Sequence, residues 1–506
     1  MVFRGKPSKA CARCRERRLR CDLKMPNCSS CGRVGEACTG YRPSAAIRFS
    51  DETEFVRTKA ISRATLLHSR HCIVPITPRY LHHDLQVVGR DVFFAYYVSD
   101  FSRTWEFLYS YQDPSVAPEH LSLGIDAVSL AFLSHQVSSP AAKEMARKKY
   151  VAALRKINKA VQDPESSSKL STFEGALLLD LFEKIMVPAA EAEASRHAHV
   201  EGALALVKLR GVKNFREGSE MRALLGLSLN ATICALSKGT AIPEAVREIR
   251  NHAAQFVDTS YPKWRLSDCI LEVTDLPGNI RSRAMTAEEK IARSATLDQK
   301  LETIALEAGH AWSYERKFVS GHDQRVLVPD GFFPLYDVYP NRMITQMWNV
   351  LRITRIQLCE DILDTCSHLD DEENKSRSRR AELVIVEMIR EICASVPQMT
   401  NCEFAARHKL PGGSIPSQRH THTMSHILDV YILIFSLYVV AWSDHCPAPA
   451  RDWTMGQLEH IAEHFAIKEA ALVLDYLRKQ DREKRADPWY VYGLLSYFGL
   501  CSVAST

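Results

Sequence analysis

CARCRERRLRCDLKMPNCSSCGRVGEACTGY, residues 11–41, decides how this chain folds at its head. Its six cysteines, Cys11, Cys14, Cys21, Cys28, Cys31 and Cys38, follow the spacing C-x2-C-x6-C-x6-C-x2-C-x6-C, and the second three repeat the first three at a displacement of 17 residues. Such a segment is a duplicated half-unit. A thiolate pair two residues apart can hold one soft tetrahedral cation, usually Zn²⁺, so two half-units imply two zinc ions. Two tetrahedral ions need eight ligand positions and six sulfurs supply them only if two thiolates bridge, which equivalent positions in the two halves do most naturally. No histidine lies between residues 1 and 67, so a mixed Cys/His site is excluded here. A single four-cysteine zinc site with two spare thiols, or a redox C-x-x-C, does not account for the repeat. About 28 residues bury too little apolar surface to fold alone, so the metal should supply the folding energy.

Charge separates the halves. Arg13, Arg15, Arg17, Arg18 and Arg20 lie between Cys11 and Cys21, but only Arg33 lies between Cys28 and Cys38. Residues 1–50 carry a formal +9 and the remainder −4, within a net charge of +5. A basic head on a mildly acidic body suits a chain whose head alone meets a polyanion. The first half is expected to face the DNA groove, with a short helix starting near Cys14 and Arg17 and Arg18 projecting from its C-terminal turn. The guanidinium fork can donate to both O6 and N7 of guanine, a discrimination of about 1–3 kcal/mol.

Residues 11–41 resemble, without a gap, the fungal Zn2Cys6 binuclear cluster family of transcription factors, in the six cysteines, the basic run and Pro26 of the inter-half loop. The resemblance implies that Cys11 and Cys28 bridge. One zinc would then take Cys11, Cys14, Cys21 and Cys28, and the other Cys11, Cys28, Cys31 and Cys38. It also implies that Arg17 and Arg18 read a CGG-like triplet from the major groove, with Arg15, Arg20 and Arg33 positioned on phosphates. A nuclear regulator of RNA polymerase II transcription, serving a pathway or biosynthetic gene cluster, is the function it implies. Its partners would be double-stranded DNA and a coactivator or corepressor.

The expected organisation is a basic tail at 1–10, the zinc cluster at 11–41, a linker at 42–89 and a large all-α regulatory domain at 90–506. No three apolar heptads occur between residues 45 and 90, so the chain either forms a homodimer through its body or binds one half-site as a monomer. Helical patterns are read at 92–109, 121–137, 141–161, 173–186, 191–210, 218–237, 284–308, 340–367, 379–395, 424–442, 455–480 and 488–502. Ala146–Leu154 and His199–Gly211 resemble the fungal-specific transcription factor domain that follows such clusters, and His199 reads as a packing or capping residue.

The apolar run Val430–Trp442 is thirteen residues, short of the roughly 20 that span a membrane, and reads as a buried helix. The N-terminus has no apolar stretch suited to a secretory signal, so the 15 cysteines are expected in a reducing compartment, without structural disulfides. Nine lie outside the cluster; Cys234, Cys359 and Cys501, among others, read as core thiols. His420, His422 and His426, with Asp429 one turn on, could supply metal ligands, but the segment reads more simply as a polar loop before an apolar helix. Asp370–Arg380 reads as an exposed charged loop. No phosphate loop, GxGxxG, GxSxG or HExxH occurs, so no catalysis is expected. The rival class is a thiolate protein that buffers metal or exchanges electrons without selective DNA binding.

Overall fold

The structure is a computed structural model that describes residues 9–41, 84–101, 103–137, 139–186, 193–216, 218–278, 285–318, 329, 334–369, 371–402, 422–478 and 487–495. The basic tail up to residue 8, the linker as far as 83, His420 and Cys501 lie outside them. The chain divides into two compact units, Met1–His82 and His83–Thr506, a division that falls inside the stretch read as linker.

The head holds two short helices, α1 (Ala12–Glu16) and α2 (Ser29–Gly32), each beginning one residue after a cysteine. The first starts two residues before its expected position. Among the described head residues, the only buried ones are Cys11, Cys14, Cys28 and Cys31. A core of four thiols gives a polypeptide almost no hydrophobic driving force.

The body is largely helical. It begins with α3 (Leu85–Val92), which loosens into a π-helical stretch at Phe93–Phe101 and is followed by a tighter 3₁₀ stretch at Arg103–Tyr111. The aromatic segment expected as one helix is therefore three windings. The change of winding accompanies the burial of Phe93, Phe94, Tyr97, Val98, Trp105, Phe107 and Leu108 in one core, which a single amphipathic stripe would not achieve. Next come α4 (Glu119–Gln136), α5 (Pro140–Gln162), α6 (Leu170–Met186), α7 (Glu193–Arg210) and α8 (Gly218–Lys238). Then follow α9 (Glu244–Ala253), α10 (Pro262–Gly278) and α11 (Ala287–Glu307), of which α9 and α10 had no counterpart in the sequence reading.

A two-stranded antiparallel hairpin interrupts the helices, β1 (Glu315–Phe318) pairing with β2 (Leu335–Val338) so that Glu315 faces Val338. The remaining helices are α12 (Arg342–Cys366), α13 (Glu372–Ser395), α14 (Met424–Tyr431), α15 (Leu433–Trp442), α16 (Ala448–His464), α17 (Lys468–Leu477) and α18 (Pro488–Leu495), with single turns at Pro164–Ser167 and Pro397–Thr400. The charged block expected as a loop is the first two turns of α13. Asp371 caps it by accepting from the Asn374 amide at 2.8 Å, Glu372 and Glu373 sit in the first turn, and Arg377 pairs with Glu373. The stretch read as one helix over 455–480 breaks between α16 and α17, where Ala466 adopts a left-handed φ of 55°.

Ser425–Trp442 is apolar and long enough to cross a membrane by composition, yet 83% of it is buried inside the protein. It forms the centre of the C-terminal core, as the reading of a buried helix anticipated. Charge is also buried: the Arg352 guanidinium reaches Glu391 Oε2 at 3.0 Å, the Tyr339 hydroxyl at 2.9 Å and Asn349 Oδ1 at 3.0 Å.

Glu174 of α6 is buried, and the Tyr111 hydroxyl donates to its Oε2 at 2.9 Å. Desolvation pushes its pKa up to about 7, against a smaller lowering by that hydrogen bond. An acid whose pKa is raised by folding favours its protonated form in the native state. Its stability contribution is therefore full below the unfolded value near 4.5 and falls as pH rises through 7. Glu174→Gln is expected to flatten unfolding free energy between pH 4.5 and 7 and to gain up to about 3 kcal/mol at pH 8. Denaturant titrations at several pH values measure this, and an unchanged slope would refute it.

Candidate metal centre

The duplicated sequence folds as a duplicated structure. The Leu19 amide donates to the Cys14 carbonyl at 2.8 Å and the Arg18 amide to that of Arg15 at 3.3 Å, closing α1 with a Schellman cap. Seventeen residues on, the Glu36 amide donates to Cys31 and the Gly35 amide to Gly32, each at 3.2 Å. Left-handed residues obey the same displacement: Arg18 at φ 53° matches Gly35 at 64°, and Leu23 at 58° matches Gly40 at 78°. Glycine takes that conformation freely, whereas a side chain costs about 1–2 kcal/mol. The second half has the relaxed residues at both positions and the first half has neither.

All six cysteines converge, in two groups of four. Cys11, Cys14, Cys21 and Cys28 have sulfurs within 4.8 Å of one another, as do Cys11, Cys28, Cys31 and Cys38, so Cys11 and Cys28 belong to both. The Sγ atoms of Cys11 and Cys28 lie 3.8 Å apart, those of Cys11 and Cys31 3.7 Å, and those of Cys14 and Cys28 3.8 Å. A tetrahedral zinc with Zn–S bonds of about 2.3 Å has S–S edges of about 3.8 Å. Disulfide sulfurs would sit about 2.05 Å apart, so the spacing fits a shared cation and not an oxidised pair.

Electrostatics divides the sulfurs. The Cys14 amide lowers the Cys11 thiol, but burial and the thiols of Cys14 and Cys31 outweigh it and push it up to about 12. Burial, foremost, raises Cys28 too. Amides of Cys28 and Gly40 lower Cys38 to about 7, and those of Cys11 and Leu23 lower Cys21, again at the 17-residue displacement. Folding thus favours the protonated form of the two shared sulfurs, and a cation must displace those protons.

Around the sulfurs, Arg13 is turned inward, its Nη1 3.5 Å from the Ser30 carbonyl and 3.9 Å from Cys31 Sγ. Sequence reasoning gave Arg13 no separate role; its inward turn fastens one half to the other. Asp22 Oδ1 accepts from the Ser29 amide at 3.0 Å, Ser30 Oγ donates to the Arg20 carbonyl at 2.9 Å, and the Tyr41 hydroxyl donates to the Lys24 carbonyl. Arg17, Arg18, Arg20 and Arg33 are exposed, whereas Arg15 is half-buried and donates to the Ala10 carbonyl at 2.9 Å. Arg17 is the C-cap of α1 and Arg18 follows it, so both leave the helix at its C-terminal end.

In the body, Cys269, Cys359, Cys366, Cys393 and Cys446 are buried, and Cys234 and Cys402 are half-buried. His199 sits 3.0 Å from Glu183 Oε1. Asp429 is drawn 3.1 Å from Arg342 Nε in an ion pair. No curated protein and no solved structure matches the chain. Residues 9–46 match the family profile of the fungal Zn(2)-Cys(6) binuclear cluster domain, so the chain bears at its head the two-zinc module of DNA-binding transcription factors, followed by a largely helical body.

Proposed function

We propose that the protein is a sequence-specific, nuclear transcription factor whose cluster reads a CGG-like triplet in the major groove. In this reading Cys11 and Cys28 bridge two zinc ions and Arg17 and Arg18 contact bases. Arg15, Arg20 and Arg33 hold phosphates, and the body supplies dimerisation and contact with a coactivator or corepressor. The target would be polymerase II transcription of a pathway or biosynthetic gene cluster.

The observation that supports base reading is Arg18 itself. It holds a strained left-handed conformation that the equivalent position of the second half gives to Gly35. Strain of that kind persists where the side chain has a use. A metal-buffering protein has no need of arginine there.

Selection of a random duplex library by the zinc-loaded full chain tests the reading. Enrichment of a G-rich triplet is expected, and Arg18→Ala should weaken the selected site by about 10–100-fold, the value of one bidentate contact. Two glycine variants separate strain from function. Arg18→Gly and Leu23→Gly should each stabilise the metal-loaded head by about 1 kcal/mol, yet only Arg18→Gly should lose affinity for the triplet. No enriched triplet, or equal affinity for both variants, would overturn base reading and favour the thiolate-buffer alternative.

A further inference from the structure

A second convergence of soft ligands lies in the body, away from the cysteine cluster in sequence. Cys402 follows the Pro397–Thr400 turn, His422 immediately precedes Thr423, the N-cap of α14, and His464 is the last residue of α16. Cys402 Sγ is 3.4 Å from His422 Nε2 and 3.4 Å from His464 Nε2, and the two nitrogens are 3.2 Å apart. Three single-atom groups in a near-equilateral triangle make poor hydrogen-bond partners, because no donor can point along two edges about 60° apart when N–H···acceptor angles prefer more than 150°. The triangle does match one face of a tetrahedron around zinc. Bonds of about 2.3 Å to sulfur and 2.05 Å to nitrogen give S–N edges near 3.6 Å and N–N edges near 3.3 Å.

His426 adds a further candidate ligand beside Cys402 and His422. Cys402, His422 and His426 offer ligand atoms all within 4.8 Å of one another. His426 Nε2 lies 2.8 Å from the Met399 carbonyl. Donation of its Nε2–H to that carbonyl leaves the lone pair on Nδ1, the usual arrangement of a ligating imidazole. The Phe465 ring lies tilted over His422 at 4.2 Å and edge-on to His426 at 5.1 Å, and His460 stacks on His464 at 4.7 Å, so aromatic rings lie against all three imidazoles.

We propose that Cys402, His422, His426 and His464 form a structural site for a third zinc ion, independent of the two in the head. The ion would tie the N-terminus of α14 to the C-terminus of α16 and to the turn at Pro397–Thr400. Cys402 and His422 lie 20 residues apart in sequence, so the same ion would link the residue after the Pro397–Thr400 turn to the start of α14. Of the divalent cations, one thiolate with three imidazoles suits zinc, and four protein ligands leave no open position for catalysis.

Metal analysis of the full chain tests this. Three zinc ions per chain are expected for the unaltered protein, and two for Cys402→Ser and for His464→Gln. Cobalt titration gives a readout that does not depend on either variant folding. The unaltered chain should take a third equivalent, with tetrahedral absorption and weaker sulfur charge transfer than the first two. Cys11→Ser, which removes the head metals, should retain that one equivalent. Saturation of the unaltered chain at two equivalents, or three zinc ions in both body variants, overturns the proposal. Neither result bears on whether the head reads DNA.

Discussion

Cys11→Ser is expected to release two zinc ions per chain, whereas Cys38→Ser releases one. Cys11 and Cys28 stand in both groups of four sulfurs, and Cys38 stands in one. A serine hydroxyl is a poor zinc ligand, so replacing a shared sulfur leaves each ion with three thiolates and only one of the two bridges between them. The consequence is large because the described head has no buried side chains except four of these cysteines. Structural zinc supplies about 10–16 kcal/mol of folding energy in small domains near neutral pH, more than such a head can find elsewhere. Loss of both ions should therefore unfold the head and abolish selective DNA binding while the body's helical signal persists. Chelation of the unaltered protein should give the same result. Equal zinc loss in Cys11→Ser and Cys38→Ser would refute the shared-sulfur arrangement.

Asp298→Ala is expected to cost the body about 3–5 kcal/mol. Arg355 of α12 donates from Nε to Asp298 Oδ1 at 2.6 Å and from Nη2 to Oδ2 at 3.1 Å, a two-pronged pair to α11, with side chains only 7% and 10% exposed. Removing the carboxylate leaves the guanidinium buried, with Glu302 Oε1 3.4 Å away, and a buried charge stripped of its two-pronged partner is costly. The exposed pair Lys148–Glu144 serves as the control. Its side chains are 74% and 69% exposed, so Glu144→Ala should change stability by less than about 0.5 kcal/mol. Denaturant titration of the body transition measures both, and comparable losses would show that burial does not govern these ion pairs.

The head was legible because its information is local. Six cysteines within 28 residues fix their own ligand arithmetic, and the structure brings all six together. The long helices of the body were legible for a similar reason: apolar positions three and four apart in α4, α5, α6 and α12 declare a buried face. Shorter elements were not. Helix α9 is ten residues between Pro243 and Ala254, and the β1–β2 hairpin joins strands of four residues, so neither offers enough periods for a pattern to stand out. The Asp370–Arg380 block was misjudged on its charge, although Asp371 followed by Glu372 and Glu373 is itself a helix-start signal.

The second convergence was half visible. His422 and His426 stand close in sequence, but Asp429, which looked able to complete them, is paired with Arg342. Cys402 and His464 approach His422 from 20 and 42 residues away, separations that tertiary packing brings together. Spacing rules find ligand sets that lie along one segment; they are silent on sets assembled by tertiary structure.

The two halves of the head also act as an experiment already performed on one polypeptide. Residues 28–40 are a reference copy, kept at the conformational ease that glycine provides, against which residues 11–23 can be compared position by position. Arg18 against Gly35 is the departure on which the proposed base reading rests, and Leu23 against Gly40 is its control. On the proposed base reading, an engineer wishing to retarget this module would vary Arg17 and Arg18 and leave untouched the cysteines and Arg13, which hold the two halves together.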